Sequence, residues 1–82
     1  MPVINGKTVT ANQSAVYGVL EELGPLSDLA LVPLAQHMLG VHQSSSGIRS
    51  RRAELTDMGL VVEVAKTKTP SGRTAGVYGV AA

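Results

Sequence analysis

Three arginines stand within four residues, Arg49, Arg51 and Arg52, directly behind the small polar run Ser44-Ser45-Ser46, and Lys68 and Arg73 bracket Pro70-Ser71-Gly72 further on. Guanidinium forks bond bidentately to guanine or to phosphate, and an ammonium meets phosphate as a point charge. Serine hydroxyls and the Gln43 amide add short donors and acceptors beside them. Arg51 is the weaker candidate, because Glu54 follows three residues later on the same helical face and is expected to pair with it. The candidate contact set is therefore Gln43, Ser45, Ser46, Arg49, Ser50 and Arg52 on one element, and Lys68 and Arg73 on another.

Other chemistries are less well served. His37 and His42 are five apart, which misses the i,i+4 spacing that puts two metal ligands on one helical face, and the chain has no Cys. No metal or other cofactor is expected. The three serines lack the paired His and acid, or the nucleophile elbow, that would activate a hydroxyl. Thr69-Pro70-Ser71-Gly72-Arg73 lacks the Lys-Ser/Thr ending of a phosphate-binding loop. No catalytic constellation or small-molecule site is evident, and the chain is read as a non-enzyme.

The elements that must carry the basic residues follow from caps and periodicity. Val3 to Val9 is a short β-favouring piece around Asn5-Gly6, a hairpin-turn signal, and is expected to pair with the C-terminal strands. Thr10-Ala11-Asn12-Gln13 has capping-box spacing, opening a helix from Ala11 to Leu23 that Gly24 and Pro25 stop. Ser27 caps a second helix running to Leu39, with Asp28 at the positive end of its dipole and Pro33 expected to kink it early. Gly40 is expected to end it, with Val41 to Ser44 as the connection. A third helix starts at one of the three serines, carries Ile48 and Leu55 inward and Arg49, Ser50 and Ala53 outward, and stops at Gly59. Leu60 to Lys66 then reads as a strand, Thr67 to Arg73 as a turn and Ala75 to Ala81 as a return strand. Leu20, Leu23, Leu34, Ile48, Leu55 and Leu60 are the expected core.

Composition supports a single α+β domain. At 82 residues the chain has room for one core, which must be aliphatic, since Tyr17 and Tyr78 are the only aromatics. The net charge of +1 is too small to imply a polyanion partner. The distribution says more. Up to Ser46, Lys7 faces Glu21, Glu22 and Asp28; from Gly47 onward six cations face Glu54, Asp57 and Glu63. The uncharged stretch Leu29 to Ile48 is broken by Pro33, Gln36, two His and three Ser, so no membrane span is expected, and Met1-Pro2-Val3 lacks the basic region and apolar core of a signal peptide, so none is expected. With no cysteine, a reducing cytoplasm is compatible. The apolar composition hints at a partner subunit, and a dimer or paired binding sites are expected should the partner be DNA.

The segments SDLALVPLAQ, QSSSGIRSRRAELTDMGLV and TPSGRTAGVYGV resemble the small winged helix-turn-helix proteins often encoded by bacteriophages and actinobacteria, related in shape to the multiple-antibiotic-resistance-type regulators. The resemblance spans Ala15 to Val80. It implies three helices with a C-terminal β-hairpin wing, binding of double-stranded DNA, Ser44 to Arg52 as the front of the recognition helix and Lys66 to Arg73 as the wing. The function expected is transcription regulation; an excisionase-like architectural factor and a winged protein-interaction module are the other two. Solvated Arg on a capped surface helix, or Lys and Pro protecting a hairpin edge, would explain either part alone. Their occurrence together, in this order, favours nucleic acid.

Overall fold

The computed structural model describes residues 2–39 and 43–81. Its elements are β1 (Val3–Ile4), β2 (Lys7–Thr8), α1 (Ala11–Leu23), β3 (Leu26–Ser27), α2 (Asp28–Leu39), α3 (Ser45–Asp57), β4 (Val61–Lys68) and β5 (Thr74–Val80). This is an α+β arrangement of three helices and two small antiparallel sheets, one of order β1-β2 and one of order β3-β5-β4. No helix among the described residues is long and apolar enough to cross a membrane.

Local chemistry accounts for most boundaries. Asn5 and Gly6 have φ of 49° and 80°, the double positive that a tight hairpin turn demands, and β1 and β2 pair with each other. The expected pairing of this segment with the C-terminal strands is therefore corrected. That place is taken by β3, which pairs with β5 through Leu26↔Tyr78 and Ser27↔Val77. In the capping box of α1, Thr10 Oγ1 accepts from the Gln13 amide at 3.1 Å and Gln13 Oε1 accepts from the Thr10 amide at 2.9 Å. Gly24 ends α1 at φ 85° and ψ −171°, a positive φ outside the left-handed helical region.

The second helix is capped by Ser27 Oγ, which accepts from the Ala30 amide at 3.3 Å, and α2 is continuous through Pro33. Proline has no N–H for the Leu29 carbonyl, and the gap is tolerated where Leu29 and Pro33 are exposed. The expected stop at Gly40 lies outside the described residues, as do Val41 and His42. Ser44 is the N-cap of α3, its Oγ accepting from the Gly47 amide at 3.0 Å. At the other end Gly59 takes φ 78°, its amide bonds Thr56 O and the Leu60 amide bonds Leu55 O, both at 3.0 Å. That is a Schellman stop, with Leu55 and Leu60 both buried behind it. The Lys7 ammonium donates to the Met58 carbonyl, placing a cation at the negative end of α3.

The core is aliphatic, as expected. Val16, Val19 and Leu20 of α1, Leu31 and Ala35 of α2, Ile48 and Leu55 of α3 and Leu60 and Val61 close on one another. Two expected members are not among them: Leu23 is 44% exposed and Leu34 39%. Leu23 has the right angular position but is the last residue of α1, beyond the packed length. Leu34 is roughly 100° round the helix from Ala35, on the side away from Val32.

Candidate nucleic-acid interface

Strands β4 and β5 form a hairpin whose tip is built by its own side chains. The Thr69 amide bonds Arg73 O at 2.8 Å, the Gly72 amide bonds Thr69 O at 2.9 Å and the Arg73 amide bonds Thr69 Oγ1 at 3.2 Å. Pro70 presets the turn and Gly72 supplies φ 86°. Arg73 leaves this turn exposed, and Lys68 is exposed opposite Thr74.

The stem of the hairpin carries an irregularity with a chemical consequence. The register of β4 slips between Glu63 and Ala65, so Glu63 faces Tyr78 while Lys66 faces Gly76. Residues three apart in a regular strand point to opposite faces. The bulge puts these two on one face, where Lys66 Nζ lies 2.8 Å from Glu63 Oε1. Lys66 holds the Glu63 carboxyl below its ordinary range, and Glu63 in turn raises Lys66.

On α3, Ser45, Ser46, Arg49 and Ser50 are exposed, and Gln43, just ahead of the cap, is half-buried with its carbonyl 3.5 Å from Gln36 Nε2. Arg51 pairs with Glu54 as its spacing predicts, Nε to Oε1 at 2.7 Å and Nη2 to Oε2 at 2.9 Å. The hydrogen bond to Glu54 holds Arg51 still more firmly protonated.

Arg49 and Arg73 both line one open groove of about 680 Å³, with Asp28 and Leu29 of α2, Pro70 at the hairpin tip and Tyr78 of β5 among its walls. Thr69 and Ser71, whose hydroxyls lie 2.9 Å apart, belong to the same groove. Among the described residues, Arg49, Lys68 and Arg73 have no ion-pair partner. The groove thus presents two free guanidinium groups, the turn hydroxyls, the Tyr78 ring and the Asp28 carboxylate, which Arg52 pairs.

Arg52 stands apart from the other candidates. Its Nε and Nη2 meet the two carboxylate oxygens of Asp28 at 2.8 and 2.6 Å, Nη1 donates to Thr56 Oγ1 at 3.2 Å, and its Cζ lies 3.9 Å from the centre of the Tyr78 ring. Its side chain is 14% exposed. A guanidinium so engaged is already neutralised and has little surface left for phosphate, in contrast to the exposed Arg49. Asp28, Thr69, Ser71 and Tyr78 were missed from sequence; the only local hints were the acidic first turn of α2, the hydroxyls at the turn and the rarity of aromatics.

Gln43, Ser45, Ser46, Ser50 and Lys68 are not among the residues that line the groove. No protein-family model, characterised protein or solved structure matches this chain.

Proposed function

We propose that the chain is a winged helix-turn-helix domain that binds double-stranded DNA without catalysis and acts as a transcriptional regulator. The single observation that carries this reading is the convergence of Arg49 from α3 and Arg73 from the hairpin tip on one groove, both exposed and unpaired among the described residues. Support also comes from element order. The order of helix, short strand, two helices and a hairpin, with strands ordered β3-β5-β4, is compatible with a winged helix and supports this reading. In this reading α3 enters the major groove with Gln43, Ser45, Ser46, Arg49 and Ser50 forward, and the wing lays Lys68 and Arg73 on the backbone or in the minor groove. Selection from a random duplex pool should enrich one short motif. Recovery of unenriched sequence at low salt would favour an architectural role, and no retention of DNA would remove the proposal.

One observation favours a protein partner as well. Leu34 and Met38 on α2, and Val62 and Val64 on β4, are exposed. Covering them in a homodimer fits the expectation that one small module needs a second copy to reach a specific complex. Sedimentation at a mass of one chain, with one chain per bound site, would rule this out.

A further inference from the structure

Arg52 is the one basic residue of α3 whose bonds leave the helix for two other elements. Asp28 is the first residue of α2, and its carboxylate takes the bidentate fork of Arg52 across 24 positions of sequence. Tyr78 lies on β5, the middle strand of its sheet, paired on one side with Leu26 and on the other with Glu63. The ring therefore reports the position of the whole hairpin stem, and the guanidinium is clasped between that ring and the start of α2. Space around the ring is tight. A Cβ on Gly76 would lie 2.8 Å from the Tyr78 hydroxyl and 2.6 Å from Glu63 Oε2, so the glycine is what lets ring and carboxylate occupy that face.

We infer that Arg52 is a positioning residue: held by Asp28 and stacked on Tyr78, it fixes the hairpin against α2 and α3 and so sets the spacing of Arg49 and Arg73 without itself touching nucleic acid. The consequence for DNA rests on the function proposed above; the fixing of the hairpin does not. Geometry gives the clamp leverage. Arg73 is five residues along the chain from Tyr78, about 16 Å at ~3.3 Å per residue, so a tilt of about 5° at the ring moves the tip by about 1.4 Å. That is enough to lose a directed hydrogen bond. Arg52 is also charge-neutralised by Asp28, so its loss releases no counterion on binding.

The test uses the full chain and a short selected duplex, with affinity measured across a series of KCl concentrations and amide spectra recorded without DNA. Arg52→Gln, Arg52→Lys and Tyr78→Leu are compared with the parent at a temperature where each is folded. Expected are a roughly tenfold loss of affinity in all three, a salt slope equal to the parent's in the two Arg52 variants, and shifted amides from Thr69 to Arg73. A slope lowered by about 0.9 in Arg52→Gln, with affinity restored by Arg52→Lys, would make Arg52 a phosphate contact and overturn the inference. Parental affinity in Arg52→Gln would overturn it too. Should Arg52→Gln not fold, Arg52→Lys and Tyr78→Leu carry the same comparison. Should the parent itself fail to bind DNA, the proposed function falls, and the amides decide alone: an unmoved hairpin tip in Arg52→Lys and Tyr78→Leu overturns the clamp, and a moved one upholds it.

Discussion

Gln13 joins the start of α1 to the last turn of α3: its Oε1 accepts from the Thr10 amide while its Nε2 donates to Glu54 Oε1, each at 2.9 Å. The cap of one helix is thereby tied to an ion pair on another, since the same Glu54 oxygen takes Arg51 Nε at 2.7 Å. Gln13→Ala removes half of the capping box and the interhelical bond together. It should cost about 1 to 2 kcal/mol in a urea melt. Gln13→Glu restores the cap acceptor but sets a carboxylate against Glu54, and should be less stable than the parent at pH 7, by a larger margin at low salt.

Acid should act through Glu54. The Arg51 hydrogen bond, and then that of Gln13, hold its carboxyl below the ordinary glutamate range. A depressed folded-state pKa means that its contribution is fully present above the unfolded value of about 4.3 and is lost as pH falls through the lower folded value. Parent and Glu54→Gln should therefore differ in melting temperature at pH 7 and converge as pH falls well below the ordinary glutamate value of about 4.3. A constant gap across that window would mean that the ionised pair contributes nothing. Glu63, held down by Lys66, adds a second group with the same sign.

Core substitutions should separate residues that look alike in sequence. Leu55 is fully buried beside Ile48 and Leu31, whereas Leu34 is substantially exposed. Leu55→Ala should cost about 2 to 5 kcal/mol, a large share of the stability of so small a domain. Leu34→Ala should cost less than about 1 kcal/mol. Thermal melts of the two variants check both values.

Two glycines should respond in opposite directions to one methyl group. Gly18 sits inside α1 with nothing within 4 Å of the added carbon, so Gly18→Ala should stabilise by up to about 1 kcal/mol through helix propensity. Gly76→Ala must push aside Glu63 Oε2 and the Tyr78 ring, whose Cζ would lie 2.9 Å away. It should destabilise by about 1 to 3 kcal/mol, and melting curves would show the sign.

The parts of this fold that were legible in sequence are those set by near neighbours. Thr10 with Gln13, Ser27, Ser44, Asn5-Gly6 and Gly72 all act within a few residues, and each does what its type and spacing predict. The adjacent arginines show where legibility ends. Arg51 finds Glu54 three residues on; Arg52 finds Asp28 24 residues back and Tyr78 on a strand, which no local spacing encodes. The strand Leu26–Ser27 is too short to carry a period, so local sequence does not reveal its pairing with β5, and the longer β-favouring N-terminal segment is the stronger signal for that place. Of the candidate contacts, the convergence of Arg49 and Arg73 depends on how α3 and the hairpin pack, and only the three-dimensional arrangement brings them to one groove.

The most direct test of DNA binding is the salt dependence of affinity for a selected duplex, measured for the parent, Arg49→Ala and Arg73→Ala after each is shown to melt near the parent. Arg49, Lys68 and Arg73 should give the parent a log–log slope of about −3 per protomer, and each substitution should reduce its magnitude by about 0.9 where that residue meets phosphate. Arg49→Ala should also lose about 1 to 3 kcal/mol and relax preference at one base pair, while Arg73→Ala weakens cognate and scrambled duplexes alike. Salt-independent binding, or both variants binding as the parent does, would contradict the account.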